Sequence, residues 1–404
     1  MSERPHNPSR PRPAAGFSLV ELLTAMALSL LVFGLTFVLV QQLDNTADVV
    51  SSMSDVNQNL RAAVNMVSRD LSTAGENIPL GGIPLPYGGT ATAIKRPYPS
   101  TSTFPTPLSG SALYMPVLIA GNGLGPSQGS GSTAISTDVV SMIGVNQSSS
   151  FNQTAVNTTS PNQPTFSSTS ATITVSTTAA GYVSPGQLIM LRDANASCLL
   201  VVSSVSTTTG VITFTHGDAT NDLLGVNQFP TVSGTTGAIT SGPTSGTILQ
   251  LETATTNAGK TTYAWPTTLT AYPISMVTYY LDSTTPERNL IKLTSMGASG
   301  CAAVSCTNVV ALGIDVLQVY YSLSPPATLN GATSDPTENP WPTSTDTTNT
   351  PNDIRKVVLN MVGETNHKNF ANSQWYSKEI KNAVTIQNLD YYNKYSLGAS
   401  MTQN

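Results

Sequence analysis

Charge is scarce in this chain. Asp, Glu, Lys and Arg together make up 10 % of its 404 residues, against roughly 25 % in ordinary globular proteins. With 17 basic and 22 acidic residues the formal net charge is −5, so there is no basic footprint and nucleic acid is not an expected partner. Cysteine is sparser still: Cys198, Cys301 and Cys306, with no CxxC. That excludes a thioredoxin-like motif and a zinc ribbon. His6, His216 and His367 stand far apart and form no HExxH or similar ligand set. No Walker loop or G-x-G-x-x-G fingerprint occurs. An enzyme is therefore the remote reading, and no cofactor is expected. Only HGDATNDLLG offers a hint of a metal: Asp218 and Asp222 could supply oxygen ligands to calcium. The plainer reading is a polar loop between strands.

Ser, Thr, Asn and Gly fill the space that charge leaves. Thr and Val with frequent Gly favour strands and turns. The length suffices for one large domain or two ordinary ones. The longest apolar run is Leu22–Val40, nineteen residues without a charge, which is long enough for a helix to cross a bilayer. Phe17, Ser18, Leu19 and Val20 precede it, and Glu21 stands between. A carboxylate at membrane depth costs about 2.5 kcal/mol or more. Glu21 therefore needs a reason.

Residues 1–16 read MSERPHNPSRPRPAAG. Arg4, Arg10 and Arg12 outweigh Glu3, and four prolines disfavour helix there. The positive flank predicts that this side stays cytoplasmic and that the chain beyond Val40 is exported. A secretory signal has its small-residue cleavage site after the apolar region. QQLDNTADVV, which follows Val40, has no Ala-x-Ala site. Gly16 lies before the run instead. Cutting there removes the charges and keeps the helix, with Phe17 first and Glu21 fifth in the product.

Gly16-Phe17-Ser18-Leu19-Val20-Glu21, followed by an unbroken apolar run, resembles the class III signal of type IV pilins and pseudopilins. The resemblance implies that a membrane aspartyl peptidase cuts after Gly16 and methylates the new amine at Phe17. That amine would lie in the apolar core of a filament of packed helices. A buried unpaired charge is costly, and pairing offsets much of the cost. Glu21 of one subunit would neutralise the amine of a neighbour, setting axial register without any catalysis.

The helix is expected to continue past the membrane segment, about 17–40, and to span 17–75. Met53, Val56, Leu60, Val64, Val67 and Leu71 recur at spacings of three and four, which marks one apolar face. Asp55, Asn57, Arg61, Ser68, Arg69 and Asp70 fall on the other. Gly75 is the expected stop, with Pro79 beyond it. Roughly 58 helical residues would reach about 87 Å. Gly34 and Thr36 weaken the helix locally.

The head, 76–404, is expected to be an antiparallel sheet, giving an α+β fold. Strand-like runs fall at 137–144, 171–176, 186–193, 198–205, 210–216, 275–282, 289–295, 313–323, 353–364 and 383–389. The low-complexity stretches 147–170 and 231–247 read as surface loops or added hairpins. The aspartate-led TDVV, the order of the later strands and NLRAAVNMVSRDLSTAG at the helix end are similar to PilW-type minor pilins. J-type minor pseudopilins of type II secretion share the helix and some of the head order. They are generally shorter, so the insertions favour the pilus side.

An exported head meets an oxidising compartment. Cys301 and Cys306 enclose AAVS, and a disulfide there would pin a hairpin. Cys198 would then be a small buried apolar residue in a strand. Pairing of Cys198 with either of the others stays open. Tyr391, Tyr392 and Tyr395 read as a sticky surface patch or as a cap on the core.

The reading is thus a minor pilin that enters a pilus and primes assembly or forms the tip, giving it roles in cell adhesion and twitching motility. Before assembly it would be a single-pass inner-membrane protein with its head in the periplasm. Implied partners are the prepilin peptidase and methyltransferase, major and minor pilins through the helix, the assembly platform, membrane lipid and a tip adhesin. The alternatives are a J-type pseudopilin, or a membrane-tethered domain binding a glycan or protein through its Ser/Thr/Asn-rich loops.

Overall fold

The computed structural model describes residues 16, 18–79, 81–98, 102–103, 113–128, 135–232, 238–257, 260–282, 288–295, 307–323, 354–368 and 375–386. The chain divides into two units, Met1–Ser54 with His367–Tyr376, and Asp55–Asn366 with Ser377–Asn404.

Helix α1 runs Leu19–Ser72 without interruption. No proline breaks it, and Gly34 is its single glycine. In the first unit its apolar side chains are exposed all round, Leu19 by 79 % and Phe33 by 71 %. Its hydroxyls turn inward. Thr24 Oγ1 donates to the Glu21 carbonyl at 3.0 Å, Ser29 Oγ to Met26 at 2.9 Å and Thr36 Oγ1 to Phe33 at 2.9 Å. This hides polar atoms that lipid or a filament core would otherwise penalise.

In the second unit Val56, Leu60, Ala63, Val64, Val67 and Leu71 are buried, which is the face the three-and-four spacing marks. Met53 stays half-buried. The helix ends three residues before Gly75. Ala74 N–H turns to the Leu71 carbonyl at 3.2 Å, a tighter last turn. Gly75 then adopts φ 79°, a left-handed value open to glycine. Its N–H donates to the Ile143 carbonyl of the sheet at 2.8 Å.

That sheet is antiparallel and, among the described residues, eight-stranded. Its hub is Leu269–Asp282, which pairs with Leu188–Arg192 and Asn289–Ser295, and also with Val139–Val145 and Thr154–Val156. Its alternating burial serves two cores. Ile274, Met276, Tyr279 and Leu281 join the core under the helix. Leu269 and Ala271 join a second core. The strand begins six residues before the run expected at 275–282. Pro273, which lacks a ladder N–H, conceals its first half.

The second core is closed by a four-stranded antiparallel sheet in the order Ser204–Ser206, Val211–Thr215, Ser170–Thr174, Thr165–Phe166. Ala171, Ile173, Ile212 and Phe214 point inward and are buried. Outward stand Ser204, Thr213, Thr172 and Thr165 in one register row, flanked by Ser206–Val211–Thr174 and by Thr215–Ser170. The single run expected at 198–205 is therefore two strands. The chain leaves the large sheet at Val201 and enters the smaller one at Ser204. The stretch 147–170 contributes Phe151 and Val156 to the second core. The stretch 231–247 carries a small hairpin, Thr231–Val232 with Ile239–Ser241.

A three-stranded antiparallel sheet, Ile314–Leu323, Ile354–Lys368 and Trp375–Thr385, completes the described head. Ile314, Leu317, Leu359 and Met361 share the core with the helix. Gly363 allows the close approach: a Cβ there would meet Leu60 Cγ at 3.0 Å and Val56 Cγ1 at 3.1 Å. Asp138 clasps the two sheets, its Oδ1 accepting Gly123 N–H and its Oδ2 accepting Val319 N–H, each at 2.8 Å. Burial raises its carboxyl above the ordinary value, and these donors oppose the rise. The leading aspartate of TDVV is thus a structural clasp.

Candidate assembly site

The N-terminal end of α1 is built from its own sequence. Ser18 is the cap residue: its carbonyl accepts Leu22 N–H at 3.2 Å, and its N–H donates to Glu21 Oε2 at 3.3 Å. Ser-x-x-Glu is the capping-box spacing. A carboxylate in the first turn also faces the positive end of the helix dipole. Glu21 therefore has a local duty besides the one expected of it, and the S-x-x-E signal was present in the sequence. Its carboxylate is exposed and aimed toward the chain's N-terminal side. Gly16 is exposed, with nothing within 4 Å of where a Cβ would stand. Phe17 lies outside the described residues.

Beyond Glu21 the exposed surface is largely apolar as far as Val40, itself 51 % exposed. The helix is long and apolar enough to cross a membrane. Burying a Leu, Val or Phe side chain gains about 1.5–3 kcal/mol, so covering this surface is strongly favoured.

Asp70, assigned by periodicity to the polar face, is a clasp between helix and sheet. Lys292 Nζ lies 2.6 Å from its Oδ2, and the buried Tyr279 hydroxyl donates to the same oxygen at 2.5 Å. Burial, with Asp70 beside it, pushes the Tyr279 hydroxyl far up. Asn382 Nδ2 donates to Ser68 Oγ at 2.7 Å, tying the strand Trp375–Thr385 to the same helix.

Asp218 and Asp222 are both engaged within their own loop. Asp218 Oδ1 accepts Thr220 and Asn221 N–H, each at 3.1 Å, and Oδ2 accepts Asn221 Nδ2 at 2.8 Å. Burial raises its carboxyl, but bonds from Asn221, Ser203 and Thr220 outweigh it and hold it below the usual range. Asp222 is buried and accepts Val226 N–H at 3.0 Å and Asn227 N–H at 2.6 Å. Burial keeps its carboxyl raised. Among the described residues no group of three or more His, Cys, Asp or Glu converges. His216 Nδ1 lies 2.8 Å from the Asn227 carbonyl.

Asn227 itself carried no sequence signal, yet it holds the two sheets together. Its Oδ1 accepts Val201 N–H at 2.9 Å, and its Nδ2 donates to the Val201 carbonyl at 2.7 Å and to Thr215 at 3.3 Å. Cys198 lies in the strand Ser197–Val201, fully buried, and burial pushes its thiol well up. Cys301, Cys306, Tyr391, Tyr392 and Tyr395 lie outside the described residues.

One carboxyl pair makes head stability depend on pH. Glu364 is raised to about 7, first by burial and then by the neighbouring Asp315, with Arg288 opposing. The Arg288 guanidinium is also tied to the Asp315 and Ser127 carbonyls, each at 3.3 Å. A folded value above the unfolded one means the stabilisation is complete below about 4.5 and fades as pH rises through about 7. The melting temperature of Glu364→Gln should therefore fall less between pH 5 and pH 8 than that of wild type. Parallel melting curves would refute the pair's role.

Residues 11–37 match the prokaryotic N-terminal methylation motif. No curated protein and no solved structure matches the chain significantly. The motif, with a helix long and apolar enough to cross a membrane and an antiparallel head, supports a type IV pilin-like or pseudopilin protein.

Proposed function

We propose that this chain is a minor type IV pilin, a structural subunit that enters the pilus and primes its assembly or forms its tip. The observation that carries the reading is Glu21: one carboxylate, at the first turn of a helix whose next nineteen residues carry no charge, inside a methylation motif. The leader stays cytoplasmic and the head is exported to the periplasm. A prepilin peptidase cuts between Gly16 and Phe17 and the amine of Phe17 is methylated. The helix leaves the inner membrane for a filament of like helices, where Glu21 meets a neighbour's amine. The assembly platform and neighbouring major and minor pilins are the partners this reading requires. The second core around Phe151 and Phe214 supports the pilus side over a J-type pseudopilin, since it enlarges the head beyond the core that packs on the helix.

Mass spectrometry of protein purified from membranes tests the processing step. The expected N-terminus is Phe17 carrying one added methyl group. A mature chain starting after residue 40 would refute the pilin reading, because the apolar helix would be lost.

A further inference from the structure

Trp375 opens the strand Trp375–Thr385 and is 46 % exposed. Among the described residues it is the one exposed tryptophan; Trp265 packs against the second core. Tyr376, next along the strand, is half-buried. Successive strand side chains point to opposite faces, so the two rings lie on opposite sides of the strand. Both belong to the segment His367–Tyr376, which forms one compact unit with Met1–Ser54 and so with the apolar stretch of α1.

Along the helix in this unit every side chain from Ser18 to Asp44 is exposed. The first that are not are Asn45 and Val49, followed by Ser52 and Met53, all half-buried. Their spacing by threes and fours marks one helical face. Past the leader, His367–Tyr376 is the other stretch of chain in the unit, so it is what covers that face.

Helix geometry sets the level of this contact. Leu22–Val40 is nineteen residues, about 28 Å long as a helix, which fills a hydrocarbon core about 30 Å thick. With that run in the core, Asn45 lies about 7 Å beyond Val40. The headgroup layer on each side of a bilayer is about 5–7 Å deep. The covered face thus begins at the outer edge of the headgroups. An indole joins a broad apolar ring to one N–H donor, which suits it to this layer, where acyl carbons and ester oxygens meet.

We propose that the end of this strand pair is a foot on the membrane surface, with Trp375 seated in the lipid headgroup layer on the exported side while the helix is anchored. The inference rests on the membrane-anchoring reading of α1 and not on entry into a filament.

The test uses full-length protein in phosphatidylcholine vesicles. Trp265→Phe with Trp341→Phe leaves Trp375 as the only tryptophan. Its emission should be quenched by a nitroxide placed near the headgroup end of the acyl chain, and much less by one near the methyl end. Because Trp265 packs on the second core, a protein that keeps it and carries Trp341→Phe guards against a folding defect. Adding Trp375→Phe to that protein should abolish the part of the emission that lipid quenches. Trp375 emission that neither lipid label quenches would overturn the proposal, whether the ring meets water or another protein chain. So would stronger quenching by the deep label, which would put the ring inside the hydrocarbon. A second reporter separates this from a failure of anchoring. Leu28→Trp, in a protein with all three native tryptophans changed to Phe, should be quenched most by the deep label. If it is and Trp375 is not, the helix is anchored and the foot alone is refuted. If neither is quenched, the membrane anchor fails and the foot fails with it.

Discussion

Glu21→Ala should leave cleavage at Gly16 largely intact and reduce recovery of the subunit in sheared filaments by about a hundredfold or more. A free amine inside an apolar filament must be neutralised, deprotonated or kept out. Two unit charges about 4 Å apart attract by roughly 4 kcal/mol at an effective dielectric of 20, and desolvation cancels part of that. Removing one partner strands the other charge, at a cost of about 3–5 kcal/mol, and each 1.4 kcal/mol or so is tenfold. The capping bond from Ser18 N–H to Glu21 adds a second, smaller loss, about 1 kcal/mol for a lost cap. Glu21→Gln separates the two. Glutamine serves in the same capping arrangement, so this variant keeps the cap and loses the charge, and it should be milder than alanine. Blotting pellet and membrane fractions measures both. Equal wild-type and Glu21→Ala signal in the filament fraction would show that Glu21 does not govern assembly.

Asn227→Ala should be among the most destabilising single changes in the head, by about 2–4 kcal/mol. Asn227 is 1 % exposed. Its amide mimics a strand at the edge of the large sheet, satisfying both the N–H and the carbonyl of Val201, and reaches the Thr215 carbonyl of the smaller sheet. Alanine leaves these buried groups unpaired, and each unsatisfied group costs about 1–3 kcal/mol. Asn227→Asp should also be harmful, since a carboxylate cannot donate to the two carbonyls. Chemical denaturation of the purified protein measures this. A midpoint unchanged from wild type would show that water or another group can replace the amide.

Several features were legible without tertiary information because each is a local pattern. The charged leader, Gly16 and the run Leu22–Val40 are contiguous. The face Val56–Leu60–Val64–Val67–Leu71 follows helical spacing, and those residues are buried. Gly75 was readable as the stop, although the last regular turn closes at Ser72. Strands such as Asn289–Ser295 were visible from their own apolar and β-branched content. The capping pair Ser18–Glu21 is equally local, a Ser-x-x-Glu spacing within four consecutive residues.

By itself, then, the sequence determined a long helix that is apolar all round at first and one-sided later, a charge-poor β-rich head, and a carboxylate five residues past Gly16. Periodicity and composition are enough for these, since each depends on neighbours along the chain. Only the tertiary structure decided that the head has two cores joined by Leu269–Asp282. It alone decided that Asp70 pairs with Tyr279 and Lys292, and that Asn227 closes a sheet edge. It also brought serines and threonines from four strands into one register row. The physical reason is the same in each case. A hydrogen bond or a register row between residues tens or hundreds of positions apart leaves no periodic trace, and exists only once burial has brought the strands together.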